Sequence, residues 1–211
     1  MLKKLKYLGP LLILILLLSS CAKPLDTKQQ VKSDLTALQQ IVAAQQAALS
    51  TLESAGQNDP SAYLKIQKKY PDQNLLDVPT TKVAEDAKAR ETAYQTLKTQ
   101  QTKLKPITRR LTKVAKQADS DLPIEAIKDL NQSVKISTLD YTTLSNFYDA
   151  AVTAETDFYS QHQTADVAES DLDAPINRLN QYYSSVYQQA EIAKVNINTV
   201  SAQLKKVQNQ L

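Results

Sequence analysis

The sequence predicts an all-α protein: an elongated antiparallel helical bundle or coiled coil that follows an N-terminal lipoprotein signal peptide. Three observations carry this. Only two glycines occur in 211 residues, too few for the tight turns that a sheet requires. Ala, Leu, Gln and Lys, all good helix formers, are plentiful. Apolar residues also recur at alternating steps of three and four over long stretches, the heptad spacing of packed helices.

The first twenty residues are read as a secretory signal. Lys3, Lys4 and Lys6 precede the apolar run Leu8–Leu18, which only Gly9–Pro10 interrupts, and Ser19 and Ser20 follow. A charged start, a short apolar core and small residues before a cleavage point define such a segment. The run is nearer half of the ~20 apolar residues that span a bilayer. Leu18-Ser19-Ser20-Cys21 matches the bacterial lipobox: Leu, two small residues and Cys. Cys21 is therefore the expected lipid-attachment residue, its thiol taking a thioether-linked diacylglycerol whose two acyl chains are of the palmitate kind, before the peptidase cuts ahead of it. More than one chain gives stable anchoring where one gives only reversible binding. Residues 21–30 would be lipidated N-terminus and tether, and 31–211 the helical bundle domain. Cys21 is the only cysteine, so no disulfide can form within the chain and stability must come from packing.

The last stretch is the clearest helix. Ile176, Leu179, Tyr183, Val186, Ala190, Ala193, Ile197, Val200, Leu204, Val207 and Leu211 step by threes and fours without a miss, with Gln203 off the seam. Asp173 before Ala174–Pro175 is the expected cap, since Pro tolerates the first helical turn. Val31, Leu35, Leu38, Val42, Gln45, Leu49 and Leu52 mark a first helix with one polar intrusion, ending near Gly56 and Asn58-Asp59-Pro60. A short helix, 62–69, is expected between Pro60 and Pro71. A second long helix follows Thr80 or Thr81 on a poorer seam: Val83, Ala87, Tyr94, Leu97, Leu104, Leu111 and Ala118, helped by Ile107 and Val114. Pro106 should kink it. Residues 124–135 read as a short amphipathic helix. A third long helix starts near Leu139 and buries Leu144, Phe147, Tyr148, Ala151, Ala154 and Phe158, and 163–170 is a polar break. Short connections make the long helices antiparallel neighbours.

Chemistry-bearing motifs are scarce. The chain has no Gly-rich phosphate loop, no G-x-S-x-G elbow and one histidine, His162, where zinc needs three or four ligands. The expectation is therefore a non-enzyme with no metal and no cofactor. The formal charge of +3 includes the three leader lysines; without residues 1–20 the chain holds 22 basic and 22 acidic residues. That neutrality argues against nucleic acid as a partner.

Charge is nevertheless segregated. Lys98, Lys103, Lys105, Arg109, Arg110, Lys113 and Lys116 form a stretch with no acid between Glu91 and Asp119. Lys105, Arg109, Lys113 and Lys116 share a helical face. The next stretch, 119–173, holds twelve acids against Lys128 and Lys135. Either the basic face binds a polyanion such as teichoic acid or lipid headgroups, with Lys98, Lys105, Arg109, Lys113 and Lys116 as contacts, or it packs against the acidic block and sets helix pairing. Adjacency in sequence favours pairing. Six of ten tyrosines crowd the C-terminal third. Tyr148 and Tyr183 read as core residues with hydroxyls reaching water, while Tyr182 and Tyr187, off the seam, are candidates for glycan or partner contact.

The lipobox, the all-helical body and the segments NFYDAAVTAETDFYSQ and LNQYYSSVYQQAEIAKVNINTV together resemble the YkyA-like family of cell-wall-binding lipoproteins of Gram-positive bacteria. The resemblance implies an extracytoplasmic protein on the outer face of the cell membrane, facing peptidoglycan or teichoic acid, with no catalytic residues to carry over. The alternative is a helical scaffold that docks a partner protein through an exposed seam.

Overall fold

The structure, a computed structural model, describes residues 26–54, 60–117, 121–164 and 166–211. The signal segment, Cys21, Gly56 and Ala118 lie outside these residues. Four long helices dominate: α1 (Thr27–Glu53), α3 (Lys82–Val114), α4 (Ile124–Gln161) and α5 (Glu169–Gln208). Between α1 and α3 lie the short helix α2 (Pro60–Lys69) and a 3-10 turn, Leu75–Asp77. No strand occurs among the described residues. The chain is an all-α helical bundle.

Side-chain contacts give the direction of every helix. Near one end, which we call the base, Asp34 of α1 meets Arg110 of α3, and Asp129 of α4 meets Lys206 of α5. Toward the other end Tyr148 of α4 reaches Glu91 of α3 (2.9 Å), and Lys194 of α5 pairs with Glu53 of α1. Each helix therefore runs antiparallel to both neighbours, in the cyclic order α1, α3, α4, α5. The most extensive packing is α4 on α5 and the slightest, among these four, is α3 on α4. The 40 residues of α5 span about 60 Å at 1.5 Å per residue, so the body is long and thin.

The α5 seam is buried along its length, from Leu172 to Val207. The α1 seam is buried from Val31 to Leu52 with Gln45 among it. Side chains fix two helix starts: the Lys28 N–H donates to Asp26 Oδ1 (3.0 Å) and the Ala84 N–H to Thr81 Oγ1 (3.1 Å). At the far end α2 closes the bundle. Tyr63 packs edge-on to Phe158 (ring centroids 5.2 Å apart) and donates its hydroxyl to the His162 carbonyl. The fully buried Gln67 amide donates to the carbonyls of Tyr70, Gln73 and Gln163. Asp72 takes the left-handed conformation (φ 57°), which Asp tolerates better than most residues, and its N–H donates to the Gln163 carbonyl (3.0 Å).

Several expectations need correction. Residues 124–161 form one helix, where the sequence suggested a short helix and a later restart near Leu139. The apolar pattern falters because Ser137 occupies a core position, buried at 4 %, and because Thr138 returns its hydroxyl to the Val134 carbonyl (2.9 Å) and stays helical. Phe147 is 41 % exposed, not buried. Helix α5 begins at Glu169, with Pro175 inside it and no side-chain cap; the fully buried Leu172 extends the seam by a turn and draws the start forward. Helix α1 begins at Thr27 and α2 at Pro60. Helix α3 runs through Pro106 to Val114. Gln203 is half-buried with its Oε1 shut from solvent.

Gln45 is 2 % exposed and its Oε1 has no partner. An unsatisfied buried oxygen costs stability that an apolar residue of like volume recovers. Gln45→Leu should therefore raise stability by about 1 kcal/mol, read as a higher denaturant midpoint at unchanged slope.

Candidate functional site

The α3–α4 interface has two unlike halves. Away from the base it is closed by polar contacts within the core. Arg90, 7 % exposed, pairs with Glu155, 5 % exposed. Its guanidinium lies 4.7 Å from the Tyr183 ring centroid, and the Tyr183 hydroxyl donates to the same carboxylate. Tyr94 stacks on Tyr148 at 4.0 Å and shares a hydrogen bond with Ser145 (2.6 Å). Burial pushes the hydroxyls of Tyr148, Tyr159 and Tyr183 well above the ordinary phenol range, so all three are neutral at physiological pH. Tyr148 and Tyr183 are core residues, as the sequence suggested, and their hydroxyls meet Glu91 and Glu155.

Toward the base the two helices part. Among the described residues, no hydrogen bond or ion pair joins α3 to α4 beyond the Tyr94 contacts. The gap is a groove of about 620 Å³ between Gln101–Lys113 of α3, with Lys116 just past its end, and Lys135 to Leu139 on α4. Leu104 is buried beside it, and Leu139, 60 % exposed, stands on its other wall. Thr108 and Thr138 return their hydroxyls to Leu104 and Val134, which withdraws two polar groups from the lining. The result is a trough lined mainly by apolar atoms and edged by Lys105, Arg109, Lys113, Lys116 and Lys135.

Among the described residues no acid lines this groove. Among the described residues, none of those five cations, nor Lys98, forms an ion pair. The expectation that the basic stretch pairs with the acidic helix therefore fails. Among the described residues only Arg110 of that stretch is paired. It points the other way, to Asp34 of α1, by Nε (3.0 and 3.1 Å) and Nη2 (2.6 Å), and the bond to Asp34 holds its proton more tightly than usual. The acids of α4 turn elsewhere: Asp129 and Asp140 to α5, Glu125 to Lys128. Lys98 is exposed about one turn above the groove. Lys135 and Leu139 were not foreseen, because their place depends on the register of α4 against α3.

A second, open cleft of about 810 Å³ lies on the outer side of α4 and α5. Tyr182 lines it with Asp149, Asp157, Gln161 and Arg178. Tyr187 stands outside it and donates to Glu191 (2.9 Å). Asp149 and Asp157 are eight residues apart on one helix, about 12 Å along its axis, beyond the ~5–9.5 Å carboxylate separations that glycosidases use. His162 stacks on Phe158 with its Nδ1 at 2.8 Å from the Phe158 carbonyl. Among the described residues no group of three or more His, Cys, Asp or Glu could hold a metal ion, and no helix is long and apolar enough to cross a membrane.

The fold and groove together define an all-α bundle that carries a cationic surface trough. Comparison with protein-family models, with curated proteins and with solved structures returned no match.

Proposed function

We propose that the protein is a non-enzymatic lipoprotein of the YkyA-like kind, anchored through Cys21 to the outer face of the membrane, whose helical body binds an anionic cell-wall polymer of the teichoic-acid type. The observation that carries this reading is the α3–α4 groove, lined among the described residues by five cations and no carboxylate. Like charges gathered without counter-charge repel one another and concentrate anions at their surface. Lys105, Arg109 and Lys113 recur along α3 every four residues, about 6 Å, and Lys116 follows just past its end, a row suited to a linear chain of phosphates. Lys113 and Lys116 lie toward the base, the end at which α1 starts. Five residue steps separate Cys21 from Asp26, at most about 18 Å of extended chain, so an anchor at Cys21 would hold the basic end near the headgroups.

A partner-docking scaffold is the second reading. It draws support from apolar side chains exposed on α4 and α5: Ile136, Phe147, Ile192 and Val195.

Two measurements test the proposal. Metabolic acyl labelling should mark the wild-type protein and vanish in Cys21→Ser; labelling that persists would remove the anchor from the account. The protein should sediment with purified walls that carry teichoic acid and remain in solution with walls stripped of it. Equal sedimentation with both would favour peptidoglycan itself, and none with either would favour the scaffold.

A further inference from the structure

We infer that the α3–α4 groove recognises the lipid-linked form of its anionic polymer, seating an acyl chain in the trough and phosphates on the cationic edge. The inference rests on the reading of the groove as an anion site and adds the nature of the ligand's other part. A site for bare polyphosphate needs only cations on a polar surface. Here the cations edge a trough lined mainly by apolar atoms, and Leu139 stands 60 % exposed at its wall. Exposed apolar area of this kind gains free energy when an apolar chain displaces its water. The aliphatic stems of Lys105, Arg109 and Lys113 can flank such a chain while their charged heads stay at the rim.

Dimensions agree. From Gln101 to Lys113 the groove follows twelve residue steps of α3, about 18 Å. One leaflet of the hydrocarbon core is about half of ~30 Å, so a single acyl chain fits within the trough. Chemistry selects the occupant's sign as well. A neutral lipid would leave five cations uncompensated, and a second helix with acidic flanks would need a broader apolar strip than one leucine wall and a floor provide.

The test uses the acylated protein held in phosphatidylcholine nanodiscs, with empty discs as reference. The probes are a glycerol-phosphate oligomer and the same oligomer bearing one short acyl chain, below its micelle concentration. The acyl-bearing oligomer should bind severalfold more tightly than the bare one. Leu139→Gln, at an exposed site that the fold does not depend on, should abolish that difference while leaving the bare oligomer's affinity unchanged. Arg109→Gln with Lys113→Gln should weaken both. Equal affinity for the two oligomers would overturn the lipid-linked ligand and leave polymer binding standing. Failure of both oligomers to bind the wild type would overturn the anion site itself, and the inference with it.

Discussion

Val200→Asp will lower the melting temperature by roughly 10 °C or more, while Ala202→Asp, two residues away, will barely move it. Val200 is 1 % exposed in the middle of the α5 seam, between Ile197 and Leu204, which are equally enclosed. Helix α5 contacts both α1 and α4, so the new carboxylate would be shut in by two neighbours as well as its own helix. A carboxylate there must remain charged without a partner or take up a proton, and either costs several kcal/mol. At ~2–4 °C per kcal/mol for a chain of this size, the shift is large. Ala202 is exposed, so its substitution tests the charge alone. Equal shifts for the two variants would mean that the α5 seam is not the buried face.

Glu155→Ala will be the second severe change, costing about 3–5 kcal/mol. It leaves the Arg90 guanidinium in the core without its carboxylate, and removes the acceptor of the Tyr183 hydroxyl. The cation–π contact with Tyr183 cannot replace it, being worth about 2 kcal/mol when desolvated. Replacing both partners with apolar residues, Arg90→Met with Glu155→Leu, should recover most of the loss, because the penalty belongs to the orphaned charge and not to the absence of the pair. A double mutant as unstable as Glu155→Ala would show that the pair contributes net stability.

The same pair explains what the sequence could and could not reveal. The α1 and α5 seams were legible because every heptad position but Gln45 is apolar or aromatic. The α3 seam looked poor between Ala87 and Tyr94 and between Leu97 and Leu104. Arg90 and Gln101 fill those gaps at the correct spacing, and both are buried. Glu155 fills the matching step between Ala151 and Phe158. Polar residues at seam positions were the available signal for the buried network, and a search for apolar residues alone passes over them. Ser137 hid the continuity of α4 in the same way. Of the groove, the cations of α3 could be read from helical periodicity. Their neighbours Lys135 and Leu139 could not, since only the antiparallel register set by Glu91–Tyr148 and Arg90–Glu155 brings them to the groove. Pairing of the basic and acidic blocks was the natural expectation from their adjacency. It fails because the α4 acids Asp129 and Asp140 turn toward α5.

On the proposed function, the groove cations serve a ligand and not the fold. One double variant, Arg109→Gln with Lys113→Gln, decides it when melting temperature and sedimentation with teichoic-acid-bearing walls are measured on the same preparation. Both side chains are exposed and, among the described residues, outside every ion pair. The account predicts an unchanged melting temperature and weakened sedimentation, with wild-type binding itself falling as salt rises from 0.1 to 1 M and the Debye length shrinks from about 10 to about 3 Å. A lowered melting temperature with wall binding intact would contradict it, returning these charges to a structural role.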